Sequence, residues 1–246
     1  MKLKENIANF FTLMNLVCGV VAILNYWDLK TMGLLVFAGA LFDFADGFVA
    51  RALKITSELG KQLDSLSDMV TFGVVPGVIA YWLLGSSGFS FIAVMIPVFS
   101  AVRLGKFNID AQQTQDFIGL PTPANALFWA SLAIIFFDMG KLTSTIQNNV
   151  GSGNFYHWFH TITANNIFLI SAVLITTMLL VAPLRLMGMK FKLTSWNGNE
   201  MKFALITISL VLMVFLQFYA APFILLLYIF FSIIHFYILH RHEIQS

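Results

Sequence analysis

The sequence predicts an all-α fold, a polytopic transmembrane helical bundle of about eight spans. Composition is the first reason. Of 246 residues, 59% are hydrophobic and only 11% charged, where a soluble domain carries roughly 25% charged residues; the mean hydropathy is +0.83. The second reason is length. Apolar stretches long enough to cross a bilayer fall at about 8–27, 32–53, 62–84, 88–105, 122–140, 166–187, 201–218 and 221–240. The third is the placement of basic residues. With the N-terminus in the cytosol, Lys2, Lys4, Arg51, Lys54, Lys61, Arg103, Lys106, Arg185, Lys190, Lys192, Lys202 and Arg241 fall at cytosolic ends, against Lys30 and Lys141 outside. That bias follows the positive-inside rule and supports an even number of crossings.

The first span opens Met-Lys-Leu-Lys and could imitate a signal peptide. Asn9 and Asn15 interrupt its apolar run and no small-x-small cleavage site follows, so it reads as a retained helix. Thr12, Asn15 and Gly19 share one face at spacings of three and four. Such a face serves helix packing or lines a site.

The second and third spans carry the chemistry. Between Leu41 and Val70 stand Asp43, Asp46, Asp64 and Asp68, four of the chain's twelve acidic residues, in segments that are otherwise largely apolar. A carboxylate in a membrane segment is costly and marks a functional site by default. Asp43 and Asp46 are i, i+3, with Gly47 and Ala50 on the same face; Asp64 and Asp68 are i, i+4, with Gly60 one turn earlier. Four close carboxylates need a counter-charge in a poor dielectric. Hard divalent cations, Mg²⁺ or Mn²⁺, prefer such all-oxygen ligands. Two ions bridged by shared carboxylates suit phosphoryl transfer. Asp43 lies about 12 Å along its helix from Arg51, which puts the carboxylates inside the membrane near its cytosolic side. Ser57 is the expected N-cap of the third span. Pro76, flanked by Gly73 and Gly77, should kink that helix beyond Asp68.

Gly85-Ser86-Ser87-Gly88 makes a turn into the fourth span, which ends Arg103-Leu104-Gly105-Lys106-Phe107-Asn108. A polar linker, 110–115, leads to Gly119-Leu120-Pro121-Thr122-Pro123 and the fifth span. Residues 141–165 read as the longest non-helical segment, on the outer side, with Phe155, Tyr156, Trp158 and Phe159 as an interfacial aromatic anchor. The last two spans are divided only by Ala220-Ala221-Pro222.

Asp43, Asp46, Gly47, Ala50, Arg51, Gly60, Asp64 and Asp68 fill every fixed position of Asp-x2-Asp-Gly-x2-Ala-Arg-x8-Gly-x3-Asp-x3-Asp. In this the chain resembles the CDP-alcohol phosphotransferase family. The segments 103–108 and 119–123 are similar to those of its membrane-embedded phosphatidylserine synthases, and the likeness covers about the first 130 residues. The resemblance implies one integral membrane domain over 1–246, with a catalytic core at about 8–140 and additional helices at about 166–240. It also implies metals on Asp43, Asp46 and Asp64 with Asp68 helping, and Asp68 as general base. Thr12, Asn15, Gly47, Ala50, Arg51 and Gly60 would line the CDP-lipid site, with Arg51 on the phosphates. The implied reaction joins CDP-diacylglycerol to L-serine, giving phosphatidylserine and CMP, in a homodimer of a bacterial inner membrane whose site faces the cytosol. Serine is a zwitterion, so its site needs a cation and acceptors; Arg103, then Lys106, and Asn108 are the candidates.

The alternatives at this point are a relative using glycerol 3-phosphate or inositol phosphate, a divalent-cation transporter built on the four aspartates, and a polar seam without catalysis. The net charge of +2 gives no reason for a nucleic-acid partner. The single Cys18 excludes an internal disulfide. The five histidines form no metal-ligand pattern near the motif.

Overall fold

A computed structural model of the protein describes residues 2–53, 57–85, 88–109, 117–146, 155–188 and 199–245. Its helices are α1 (Lys2–Leu24), α2 (Leu29–Leu53), α3 (Glu58–Asp68), α4 (Val75–Leu84), α5 (Met95–Ile109), α6 (Thr122–Ile146), α7 (Phe155–Thr163), α8 (Asn166–Val181), α9 (Glu200–Leu216) and α10 (Ala220–Gln245). A two-residue antiparallel pairing joins β1 (Phe117–Ile118) to β2 (Arg185–Leu186).

Four segments are long and apolar enough to cross a membrane singly: Asn6–Leu24, Leu29–Ala52, Glu58–Leu84 and Ser90–Ile109. A fifth apolar stretch, Glu200–Phe236, contains both α9 and α10, and Thr122–Phe137 and Asn166–Val181 are shorter apolar helices. The protein is an all-α polytopic membrane protein, and the predicted spans correspond to these segments.

Each outer helix is two-faced. On α2 the buried positions Met32, Val36 and Gly39 step by four and three, while Leu41, Phe44 and Phe48 are exposed to the apolar surroundings. On α1, Ala8, Thr12, Asn15, Cys18 and Ala22 turn inward, and Phe10, Leu13, Val17 and Val20 turn out. Between helices in lipid, close packing replaces the hydrophobic drive. Small residues accordingly sit where helices cross. A Cβ on Gly33 would stand 2.6 Å from Ala130 O of α6, and one on Gly19 2.4 Å from Thr71 Oγ1. The centre is α6, which packs on α2, α4 and α10 and buries Trp129 completely.

Where the sequence led one to expect a kink at Pro76, the chain forms a π-helical segment, Met69–Val74, between α3 and α4. Val75 N–H donates to Val70 O, an i to i−5 bond. Proline lacks an N–H and its ring presses on the carbonyl four residues back; a widened turn before it relieves both. Gly77 then packs on α5, where its Cβ would stand 2.7 Å from Pro97 Cδ.

The ends sort into two sets. Lys61 meets Asn108, β1 meets β2, and Ser232 Oγ accepts from Met187 N–H at 3.1 Å. At the other end Tyr26 stacks near Trp82, with ring centroids 6.0 Å apart. α7 approaches the α9–α10 turn there, through Phe159 and Tyr219.

Three expectations need correction. Residues 141–165 are not a non-helical segment: α6 runs on to Ile146 and α7 occupies Phe155–Thr163, while 147–154 lie outside the described residues. Within α7, Phe159 is no interfacial anchor. It is buried, with its ring 5.5 Å from Tyr219 and 5.7 Å from Phe223, whereas Trp158 is exposed. The side chains of Phe155 and Tyr156, and the linker 110–115, lie outside the described residues. The last two helices do separate, but the break is at Gln217 (φ 49°, ψ −126°), upstream of Ala220-Ala221-Pro222. Pro222 sits in the first turn of α10, where its missing N–H costs nothing.

Candidate active site

The inward stripe of α2 that begins with Met32, Val36 and Gly39 continues, at the same spacing, through Asp43 and Asp46. The carboxylates therefore face the bundle because the helix's apolar stripe does. α3 supplies the second pair. Its N-terminus is fixed by Ser57, whose Oγ accepts from Gly60 N–H at 3.3 Å, as the sequence predicts.

One oxygen from each of Asp43, Asp64 and Asp68 lies within 4.8 Å of the others. Three carboxylates at this separation repel strongly in a poor dielectric, and a hard cation between them is the arrangement that relieves it. The oxygen-only donor set fits a divalent ion of the Mg²⁺ or Mn²⁺ kind. Asp46 stands outside this trio but within electrostatic reach of all three.

α1 orients the acids. Thr12 Oγ1 donates to Asp46 Oδ2 at 2.6 Å, and Asn15 Nδ2 donates to Asp68 Oδ1 at 3.2 Å. Thr71 Oγ1, in the π segment, donates to Asn15 O at 2.9 Å. Gly19 and Gly39 both close on Thr71, which lets three helices meet beneath the carboxylates. The Thr12–Asn15–Gly19 face packs, as one of its two sequence readings expected, and its Thr12 and Asn15 also hold acids, which neither reading foresaw.

Arg51 folds back one turn over Gly47, its Nη1 3.3 Å from where a Cβ there would lie. The space that Gly47 leaves open holds the Arg51 guanidinium. Gly60 faces α1, where its Cβ would meet Asn9 Oδ1 at 3.1 Å. Ala50 lies half-buried on the carboxylate side of α2.

The candidates on α5 divide. Arg103 is buried, donates from Nη1 to Thr122 Oγ1 at 3.2 Å, stacks 5.9 Å from the Phe107 ring centroid, and lies within electrostatic reach of Asp68. Lys106 is exposed and lines, with Arg103, Phe107 and Ile118, a cavity of about 360 Å³. Asn108 ties α5 to α3: its Nδ2 donates to Ser65 Oγ at 2.8 Å, and its backbone carbonyl accepts from Lys61 Nζ at 2.9 Å.

Gly119-Leu120-Pro121-Thr122-Pro123 explains how Arg103 is held. Gly119 has φ +79°, donates to Leu184 O at 2.9 Å, and lies so close to α8 that a Cβ would stand 2.4 Å from Leu180 O. Only glycine suits both demands. Leu120 is fully buried and donates its N–H to Leu179 O at 2.8 Å. The segment is thereby pinned to α8 and delivers Thr122 to the guanidinium. Thr71, Ser65 and Thr122 were not foreseen as site residues, although Thr122 stands in the Gly119–Pro123 segment noted in the sequence.

Comparison with known proteins bears on this arrangement. Residues 5–178 match the model of the CDP-alcohol phosphatidyltransferase family. A CDP-diacylglycerol–serine O-phosphatidyltransferase of Bacillus subtilis is 39% identical over 118 residues, which cover 46% of this chain and 66% of that one. One from Methanocaldococcus jannaschii is 37% identical over 121 residues, covering 49% of this chain and 57% of that one. One from Helicobacter pylori is 30% identical over 211 residues, covering 82% and 80%. The chain therefore spans less than two thirds of the length of the first two relatives and most of the third. The extent of the family match, the long alignment and the carboxylate trio agree: the chain belongs to the CDP-alcohol phosphatidyltransferase family.

Proposed function

We propose that the protein transfers the phosphatidyl group of CDP-diacylglycerol to the hydroxyl of L-serine, releasing CMP and forming phosphatidylserine. The observation that carries the choice of acceptor is Arg103, a buried guanidinium held by Thr122 within electrostatic reach of Asp68. A single buried cation suits the one carboxylate of serine. A phosphate-bearing acceptor favours a denser basic cluster. The names of the three relatives support the same acceptor.

In this reading Asp43, Asp46 and Asp64 would hold divalent cations, with Asp68 beside them. Bound there, such ions would polarise the phosphoryl oxygens and offset charge on the departing nucleotide. The chain's own groups do the rest. Arg51, lying over the bare backbone of Gly47, binds the phosphates of the CDP-lipid. Asn15 occupies Asp68 Oδ1, leaving Oδ2 to take the proton of the serine hydroxyl. The serine hydroxyl oxygen forms a bond to the lipid-side phosphorus as the bond from phosphorus to the CMP oxygen breaks, and CMP leaves. Arg103 fixes the serine carboxylate so that the hydroxyl points at phosphorus. The same reading carries a homodimer in a bacterial inner membrane, its site open to the cytosol.

The deciding test is CMP release by purified protein with CDP-diacylglycerol and Mg²⁺ or Mn²⁺, offering serine, glycerol 3-phosphate or inositol phosphate separately. Release with serine alone is expected. Release with a phosphate-bearing acceptor alone would overturn the acceptor. Metal flux into liposomes without CDP-lipid, and no release with any acceptor, would favour transport.

A further inference from the structure

Beside the carboxylates lie buried polar atoms with no hydrogen-bond partner among the described residues: Ser100 Oγ, Arg103 Nε, and both Nδ2 and Oδ1 of Asn125. Ser100 and Asn125 are 0% exposed and Arg103 is 8% exposed. A buried amide with neither end paired is rare in a folded protein and points to a ligand or water that completes it.

These groups share one place. Ser100 and Arg103 are three apart on α5, and Thr122 and Asn125 are three apart on α6, so each pair lies on one helix face. The bond from Arg103 Nη1 to Thr122 Oγ1, 3.2 Å, brings the two faces together. α5 ends and α6 begins at the same end of the bundle, so Ser100 and Asn125 both lie about 4.5 Å deeper than that bond. Ser100 Cβ stands 3.3 Å from the position of a Cβ on Gly73, in the π segment that follows Asp68. On the other side of Arg103 opens the cavity of about 360 Å³.

We propose that Ser100, Arg103 and Asn125 form the recognition pocket for the zwitterionic end of an α-amino acid acceptor, and that Asn125 determines specificity by reading both of its charges. The inference rests on the serine reading above. The unpaired atoms are two kinds of donor, Arg103 Nε–H and Asn125 Nδ2–H, and two acceptors, Asn125 Oδ1 and Ser100 Oγ. A carboxylate takes the donors and an ammonium takes the acceptors. A phosphate monoester brings no ammonium to the two acceptors, and an uncharged alcohol brings neither charge to the set. An amino acid pairs all of it, and the cost of leaving buried polar groups unpaired is what lets a site reject analogues.

The experiment uses the full chain with CDP-diacylglycerol and a divalent cation. CMP release is followed with L-serine, with ethanolamine, which lacks the carboxylate, with 3-hydroxypropanoate, which lacks the ammonium, and with glycerol 3-phosphate. Asn125→Leu is expected to raise the KM for serine by about tenfold or more, with the KM for CDP-diacylglycerol within about twofold. Its preference for serine over both analogues should fall by a similar factor. Asn125→Asp keeps the acceptor and repels the carboxylate, so its preference should move towards ethanolamine. Ser100→Ala should weaken serine and ethanolamine together and leave 3-hydroxypropanoate unchanged, and it serves as the test if the Asn125 variants do not fold. Unchanged analogue preference in folded variants, or equal change in both KM values, overturns the pocket. Wild-type release with glycerol 3-phosphate and not with serine overturns the functional reading instead.

Discussion

Thr12 on α1 donates its hydroxyl proton to Asp46 on α2 across 2.6 Å, so a carboxylate of the signature is oriented by a residue 34 positions away. Groups that orient metal-site ligands in this way change metal affinity or activity by about 10- to 100-fold when removed. Thr12→Val should lower CMP release by that factor and raise the Mg²⁺ concentration needed for half-maximal rate. Thr12→Ser, which keeps the hydroxyl, should restore most of it. A metal titration of the three proteins checks this.

The trio Asp43, Asp64 and Asp68 gives a second expectation. Asp68→Asn is nearly isosteric and its side chain still meets Asn15, so it should fold and still bind CDP-lipid. It should lose turnover by at least about 100-fold, because a general base contributes about 10²–10⁴. Asp64→Asn should in addition weaken Mn²⁺ binding followed by electron paramagnetic resonance. Retained turnover in Asp68→Asn would remove that residue as the base. Chelation of divalent ions should abolish CMP release in the wild type, and readdition should restore it.

Arg103 should separate the two substrates. Arg103→Ala is expected to raise the serine requirement by about 10- to 100-fold, the range for a lost charged hydrogen bond, while CDP-lipid binding survives. Arg103→Lys should recover only part, because a point charge lacks the planar fork. Thr122→Val should give a smaller loss with the same sign. Saturation curves for both substrates check all three, and equal loss of both in folded protein would refute a role for Arg103 in serine binding.

Two glycines in neighbouring segments should respond oppositely to alanine. Gly119 combines a φ of +79° with a Cβ position 2.4 Å from Leu180 O. The backbone strain alone costs about 1–3 kcal/mol, before the clash with α8 is counted. Gly105 is inside α5 with nothing within 4 Å of its Cβ position, so alanine there should stabilise by about 0.5–1 kcal/mol. Thermal unfolding in one detergent distinguishes them.

The fold class was legible in composition and span length, and the grouping of the four aspartates in their spacing. Asp43 and Asp46 fall on the stripe begun by Met32, Val36 and Gly39, and helical period alone puts them inside. Ser57 was legible for a similar reason: capping is local. Pairings across the bundle were not. Nothing in the local sequence links Asn15 to Asp68, Ser65 to Asn108 or Thr122 to Arg103, since each pair is brought together by packing between helices. Phe159 was misread because an aromatic run outside an apolar span has the same composition whether it rests at an interface or under another helix. The break at Gln217 was displaced because proline attracts the eye, yet it sits comfortably in a first helical turn.

The π segment at Met69–Val74 has a consequence for how the protein can change. One additional residue in a turn advances the phase of everything after it by about 100°. α3, which bears Asp64 and Asp68, and α4, whose residues Ile79, Ala80 and Leu84 are buried, therefore present independent faces although the chain between them is continuous. Substitutions that repack α4 against α6 need not rotate the carboxylates. Deleting one residue from the segment would transmit the full rotation to them. The widened turn thus sets the rotation between the end of the crossing that carries the chemistry and the end that anchors it.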